Sequence, residues 1–281
     1  MINGKTELFC LIGENTKNSL SPAIHNSAFK RLGINAKYVC FDVKQNDLEN
    51  AIKGIRALGI KGANITMPYK TKVLNHLDRI EGKAKKIGAV NTIVNKNNML
   101  FGFNTDGTGA VKALEEKTKL KGKTVTLIGC GGAGKAIAFE LSKKVDKLNL
   151  LSIQPKETAE FAKKLKKIKT KVMQLNNKSL KNALNESDIL INASPVGMKP
   201  NQTKSLVPKE LLYSELTVFD VIYTPVKTKL IRNAEEKRCI TVTGDKMLLF
   251  QAAESFKYFT GRNAQIKLMQ KAVKKQLEVI K

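Results

Sequence analysis

The stretch NITMPYK, residues 64–70, runs out of an alternating segment into a proline turn and delivers one lysine, Lys70. Ile65 and Met67 alternate with Asn64 and Thr66, the period-two pattern of a half-buried strand. Pro68 then ends ladder pairing, because it has no N–H to donate. A lysine on such a turn is a cationic proton donor held in one place, the group needed where an oxygen gains negative charge. It is equally what an ordinary surface residue of a lysine-rich chain looks like, so Lys70 alone decides nothing. The second chemical signature is LIGCGGAGKAIA, residues 127–138. Gly129, Gly131 and Gly134 fit G-x-G-x-x-G, with Gly132 and Ala133 inside the turn, after an apolar strand pattern and before a helical one. In that setting the glycines let the backbone approach a pyrophosphate, and the helix start offers oriented N–H groups. The alternative is a tight turn with no ligand.

These groups need elements to hold them. LFCLIG (8–13) reads as a buried strand, and SPAIHNSAFKRLG (21–33) as a helix opened by Ser-Pro and closed at Gly33. AKYVCFDV (36–43) is a second strand, and NDLENAIKGIRALG (46–59) a helix with Leu48, Ile52, Ile55 and Leu58 on one face. IKGANITM (60–67) is a third strand, TKVLNHLD (71–78) a short helix, and residues 87–106 a strand pair turning at KNN. A helix over 107–118 leads to the glycine turn, and strands at 147–153, 187–194 and 215–225 follow, with helices between and after them. This repeated strand-then-helix order predicts an α/β fold with a doubly wound parallel sheet. The lysine-rich KKLKKIKTK (163–171) looks like a solvated helix face, and the tail from Lys246 is helical.

Composition excludes several other classes. With 281 residues, 42% hydrophobic and 26% charged, the chain has material for a proper core and for two domains. No apolar run approaches the roughly 20 residues that span a bilayer, and the N-terminus lacks a signal peptide's order. Cys10, Cys40, Cys130 and Cys239 are scattered, with no CxxC pair, which excludes a zinc ribbon and gives no disulfide framework, so a reducing cytoplasm is expected. The net charge of +26 raises the question of nucleic acid. Lysines spread along the whole chain, with no Trp and only 6% aromatic residues, are poor material for base stacking; anionic small ligands are the expected partners instead.

Eight stretches occur in one order: NSLSPAIHN, GANITMPYK, GAVNT, GFNTDG, GCGGAGKA, NASPVGM, DVIYTP followed by Thr228, and G-x-x-ML-x-x-QAA from Gly244. From about Ser19 to Gln251 the chain thereby resembles the shikimate dehydrogenase family, including its quinate/shikimate branch. The resemblance implies an N-terminal α/β substrate domain, a Rossmann cofactor domain and a cleft between them. Residues 1–106, completed by helices in 246–281, would bind substrate, and residues 107–245 the dinucleotide. The implied activity is reversible, nicotinamide-dependent reduction of 3-dehydroshikimate to shikimate, in aromatic amino acid biosynthesis. The alternatives are a quinate-using enzyme working with NAD and a catalytically silent relative. No metal is implied, and the enzyme would be a monomer or homodimer.

The family's roles fall on matching positions. Lys70 and Asp106 would be the catalytic pair. Ser19 and Ser21 would bind the substrate carboxylate, and Thr66, Asn91 and Gln251 its hydroxyls, with Tyr223 nearby. Gly129, Gly131, Gly132, Ala133 and Gly134 would cradle the pyrophosphate, and Ser194, Val221 and Gly244 would line the rest of the cofactor site. The residues read alone agree: serines two apart point the same way in an extended stretch and precede a helix start, where anions are favoured, although a helix cap would also use one of them. Turn chemistry would equally suit Asn91. His25 is expected to pack or cap within its helix and His76 to be exposed, neither with a role. The chain departs from the family where NADP users commonly show Asn-Arg-Thr. Ser152, Ile153 and Gln154 stand there, with Lys156 as the only nearby cation and neither the acid of NAD users nor the arginine. Without an acid to repel a phosphate, NADP is expected over NAD, with weaker discrimination because lysine lacks arginine's fork. Lys246 also stands where a second glycine is common.

Overall fold

The computed structural model describes residues 2–165 and 168–279, so the expected outer domain bounds at 1 and 281 lie outside the described residues. It falls into two compact units: residues up to Thr105 together with those from Gln251 onward, and Asp106–Phe250.

In the first unit the chain order is β1 (Glu7–Gly13), α1 (Ser21–Arg31), β2 (Ala36–Asp42), α2 (Leu48–Ala57), β3 (Gly62–Ile65), β4 (Arg79–Ile80), α3 (Gly82–Ile87), β5 (Thr92–Lys96) and β6 (Met99–Phe103). The sheet order is β2-β1-β3-β5-β6-β4. β1 runs parallel to β2 and β3, whereas β5 runs antiparallel to both β3 and β6, so this sheet is mixed. The β5–β6 hairpin turns at Asn97 and Asn98, both at positive φ (52° and 63°), which short polar side chains tolerate best. One side of the sheet packs Ile52 and Ile55 of α2 against Ile12, Ile65, Tyr69 and Ile93. Leu58, expected on that apolar face, is instead 75% exposed, because α2 ends at Ala57 and Leu58 is already its C-cap. The expected helix over 71–78 is a 3₁₀ turn, Lys72–His76, and His76 in it is half-buried rather than exposed. All four residues of β3 are buried, not one face of it, while Met67 beyond the strand is 50% exposed. A central strand is covered on both sides, so alternation there separates an apolar face from a buried polar one.

The second unit comprises α4 (Asp106–Glu115), β7 (Thr124–Ile128), α5 (Gly132–Leu141), β8 (Lys147–Ser152), α6 (Pro155–Ala162), β9 (Lys169–Gln174), α7 (Asn177–Leu184), β10 (Ile189–Asn192), β11 (Thr217–Asp220), α8 (Lys229–Glu236) and β12 (Ile240–Thr243). Its sheet order is β12-β11-β10-β7-β8-β9, and every adjacent pair is parallel. Counted within the unit from the β9 edge this is 3-2-1-4-5-6, the doubly wound order with its switch point between β7 and β10. The lysine run expected as a helix face ends in β9, and Lys166 and Lys167 within it lie outside the described residues. Two helices complete the chain, α9 (Gly244–Thr260) and α10 (Ile266–Val279), and α10 packs on α1 within the first unit. No helix among the described residues is long and apolar enough to cross a membrane.

Candidate active site

Lys70 sits on a turn whose backbone is tied at each step. The Thr66 amide donates to the Ile12 carbonyl (3.0 Å), Tyr69 to Thr66 (3.0 Å), Val73 to Tyr69 (2.9 Å) and Val90 to the carbonyl of Lys70 itself (2.8 Å). Tyr69, the aromatic before the lysine, is fully buried in the apolar core. Its hydroxyl lies 2.8 Å from Glu14 Oε1 and 2.7 Å from the Val43 carbonyl, and burial, with the Glu14 hydrogen bond, pushes the phenol up to about 12. The tyrosine is therefore the anchor and Lys70, half-buried, the group it delivers. Gly13 at the end of β1 completes the arrangement: a Cβ there would stand 2.2 Å from the methyl of Thr66, so glycine makes room for that side chain.

Asn91 and Gln251 come together in one buried network. Asn91 Oδ1 accepts from the Thr105 amide (2.9 Å) and the Thr92 hydroxyl (2.9 Å). Its Nδ2 donates to Thr105 Oγ1 (2.9 Å) and Gln251 Oε1 (3.3 Å). Behind them, Asn64 Nδ2 lies 3.1 Å from the Asn91 carbonyl, Thr92 Oγ1 and Ser255 Oγ, while Asn64 Oδ1 accepts from the Tyr38 hydroxyl (2.8 Å). Asn64, Thr92, Thr105 and Ser255 were missed by sequence reasoning. Asn64 marks the polar side of β3, Thr92 ends GAVNT and Thr105 lies within GFNTDG, whereas Ser255 lies outside every such stretch.

The two serines differ in setting. Ser21 is buried at the first residue of α1, and Ser19 is half-buried just outside it. The N-cap is Leu20, with no side-chain cap, so neither serine fills that role; Ser19 Oγ accepts only the Ser21 amide, at 3.2 Å. The Ser19 hydroxyl donates to the Cys40 sulfur, and burial outweighs that bond and pushes the thiol up to about 11. His25 packs rather than caps, against β2 and not within its own helix. It is fully buried and stacked on Tyr38 at 4.4 Å, neither ring nitrogen has a hydrogen-bond partner among the described residues, and burial pushes it down to about 3.

In the second unit the three glycines have separate reasons. Gly129 has φ +91°, and Gly134 would place a Cβ 2.0 Å from the Gly129 carbonyl oxygen, so both serve the turn itself. A Cβ on Gly131, the N-cap of α5, would meet nothing within 4 Å. That open space in front of the helix start, continued by half-buried Gly132 and Ala133, fits a pyrophosphate, whereas a ligand-free tight turn has no use for it. At the end of β8, Ser152 is buried and its hydroxyl accepts the Gln154 amide (3.0 Å), so it shapes the turn from inside. Gln154 and Lys156 are exposed, Lys156 in the first turn of α6, and Ile153 is 75% exposed. Ser194 Oγ donates to Asn192 Oδ1 (2.6 Å), and the Val221 amide to the Asn192 carbonyl (3.0 Å). Asp220 fastens the same region, accepting from Asn192 Nδ2 (3.1 Å), the Ile222 amide (3.1 Å) and Thr228 Oγ1 (2.7 Å). Burial pushes its carboxyl up to about 6 despite these bonds. Gly244 is required by contact, since its Cβ would stand 2.3 Å from the Val221 carbonyl oxygen. Lys246, the unusual residue there, pairs with Glu116 at 3.1 Å. Asp106 is buried at the start of α4, followed by Gly107, whose Cβ would stand 2.2 Å from the Ala136 carbonyl oxygen of α5. Tyr223 is half-buried. Among the described residues no group of three or more His, Cys, Asp or Glu is placed to hold a metal.

A glycine turn opening a helix at the switch point of a doubly wound sheet defines an α/β dinucleotide-binding protein, here joined to a second α/β unit with a tethered lysine and a buried amide–hydroxyl network. Three family models match the chain: the shikimate dehydrogenase substrate binding domain over residues 11–93, shikimate/quinate 5-dehydrogenase over 111–211, and the shikimate 5′-dehydrogenase C-terminal domain over 246–274. The shikimate dehydrogenase (NADP(+)) of Pyrococcus furiosus is 47% identical over 271 residues, 96% of each protein. A crystal structure of a shikimate dehydrogenase in complex with NADP+ is 38% identical with TM-score 0.90, covering 98% of this chain and 97% of that one. The Listeria monocytogenes shikimate 5-dehydrogenase, solved with shikimate and NAD, is 35% identical with TM-score 0.87, covering 96% and 97%. The chain belongs to the shikimate dehydrogenase family.

Proposed function

We propose that this protein is an oxidoreductase that interconverts 3-dehydroshikimate and shikimate with NADP, in the biosynthesis of aromatic amino acids. The observation that carries this reading is the end-to-end match, at 47% identity, to an enzyme named for that activity and cofactor. Residues up to about 106, with the C-terminal helices, form the substrate domain, and residues 107–245 the cofactor domain. Gly129, Gly131, Gly132, Ala133 and Gly134 hold the pyrophosphate; Gln154 and Lys156, with Ser152 behind them, hold the ribose end, and Ser194, Val221 and Gly244 the nicotinamide end. When bound, the nicotinamide supplies the hydride to the ketone or takes it back.

The chain's own groups supply the rest. Ser19 and Ser21 bind the carboxylate beside the start of α1, where helix N–H groups favour an anion. Thr66, Asn91 and Gln251, with Tyr223, bind and orient the hydroxyls. Lys70 gives its proton to the oxygen that gains charge as the ketone is reduced and takes it back in the reverse direction, with Asp106 as its acidic partner. The anchored turn supports this role, because general acid catalysis needs the donor fixed within hydrogen-bond reach. The protein works in the reducing cytoplasm as a monomer or homodimer; its four free cysteines suit that compartment. Steady-state assay of shikimate and quinate, each with both nicotinamide cofactors, tests the proposal, and failure to turn over shikimate with either would end it.

A further inference from the structure

We propose that Asp220 is a positioning residue that clasps the loop after β11 shut and so sets the nicotinamide end of the cofactor site. This rests on the places given above to Ser194, Val221 and Gly244. Asp220 ends β11 and is fully buried, at the carboxyl edge of the parallel sheet, where ligands of such folds bind. Three donors from three segments converge on its carboxylate. Oδ1 accepts the Ile222 amide (3.1 Å), at the start of the loop, and Asn192 Nδ2 (3.1 Å), at the end of β10. Oδ2 accepts Thr228 Oγ1 (2.7 Å), at the far end of the loop, where Thr228 caps α8. One side chain thus joins the start of the 221–228 loop to its finish.

The sense of these bonds follows from backbone groups whose polarity is fixed. Thr228 Oγ1 accepts the Ile231 amide (3.3 Å), so its single proton is left for Asp220. The Ser194 amide can only donate and the Val196 carbonyl can only accept, so Asn192 turns Oδ1 to the first and Nδ2 to the second. The remaining Nδ2 proton goes to Asp220. Asn192 thereby ties residues 194–196 to the same carboxylate, and its backbone carbonyl takes the Val221 amide (3.0 Å). Val221 is held on its other side as well, because a Cβ on Gly244 would stand 2.3 Å from its carbonyl oxygen. All three partners of Asp220 offer protons, so position 220 calls for a side chain that accepts on both oxygens, a carboxylate. None of the bonded groups belongs to the turns after β7 and β8, which carry Gly131 and Lys156. The clasp therefore acts on one half of the cofactor site.

The test separates the two halves of the cofactor, using the full-length enzyme with NADP and with ADP-ribose 2′-phosphate, which is NADP without its nicotinamide. Asp220→Ala removes the clasp, and Thr228→Val removes the donor that closes the loop. Both should lower kcat for shikimate oxidation about ten- to a hundredfold, the effect of about 1 Å of misplacement at a reacting centre. Both should weaken NADP in calorimetry and leave the Kd of ADP-ribose 2′-phosphate at its wild-type value. Thr228→Ser keeps the hydroxyl and should match wild type in turnover and in both affinities. If Asp220→Ala does not fold, the two Thr228 variants decide the question. Wild-type turnover in Thr228→Val would overturn the proposal, as would Thr228→Ser as slow as Thr228→Val. Loss of affinity for ADP-ribose 2′-phosphate in step with kcat would make the role purely structural and overturn it too. A wild-type enzyme that bound neither NADP nor the fragment would overturn the cofactor reading itself, and this inference with it.

Discussion

At the scale of single residues, the lysine and its neighbour divide the labour. Tyr69 spends its ring on the core and its hydroxyl on Glu14 and Val43, which fixes where Lys70 starts. Lys70→Ala should lower kcat by about 10²–10⁴, the usual worth of a positioned acid, with little change in the shikimate KM. A variant keeping more than half of wild-type turnover would remove Lys70 from the proton transfer. Ser19→Ala and Ser21→Ala should each weaken shikimate binding by about 1.5–3 kcal/mol, since each removes a bond to a charged group. Calorimetry reads this directly, and normal binding with early melting would make the serines purely structural. Lys156 stands in the first turn of α6, after exposed Ile153, at the proposed ribose end of the cofactor site. Lys156→Ala should therefore lower kcat/KM for NADP and leave NAD almost untouched; an NADP preference that survives it unchanged would place the phosphate elsewhere.

At the scale of elements, the glycine turn separates what the fold needs from what the ligand needs. Gly134→Ala puts a methyl 2.0 Å from the Gly129 carbonyl oxygen, so it should cost about 3 kcal/mol of stability, the upper end of overpacking. Gly131→Ala meets nothing within 4 Å, so the protein should melt normally and lose affinity for NADP. Normal cofactor affinity in Gly131→Ala, measured by fluorescence titration, would show that the space in front of α5 is not used. This distinction was not legible in the sequence, where the three glycines look alike. Motif-bearing segments were: the strand, turn and helix at 123–144 and the lysine turn follow local chemistry. β9 and β12 were not, because they are the two edge strands, half-solvated and in β9 interrupted by lysine, so neither shows an apolar run. The Asn64–Ser255 network escaped for a different reason. Its members sit up to 191 residues apart in sequence, and only tertiary pairing makes them one unit.

At the scale of the whole molecule, two buried titratable groups oppose each other. His25 is held neutral down to about pH 3, so below its ordinary value of 6.5 the unfolded chain binds a proton that the folded one refuses. Its contribution to stability is thus present above pH 6.5 and is lost as pH falls toward 3, with a slope of about 1.4 kcal/mol per pH unit. Asp220 is raised from 3.8 to about 6, so between those values the folded chain holds the extra proton and stability falls as pH rises. Between about pH 4 and 6 the two slopes offset one another. His25→Phe, which keeps an aromatic ring against Tyr38, should change the pH dependence of unfolding there by about one proton relative to wild type. Identical slopes in denaturant titrations at pH 4.5, 5 and 5.5 (round values inside roughly that window) would mean that His25 titrates normally.

The account stands most directly on one measurement, the specificity constants for shikimate and quinate oxidation followed by nicotinamide absorbance with NADP and with NAD. It predicts that shikimate with NADP gives the highest value, that the NADP preference is modest because no guanidinium reads the phosphate, and that quinate turns over more slowly if at all. Quinate with NAD as the best pair, or no turnover of shikimate with either cofactor, would contradict it.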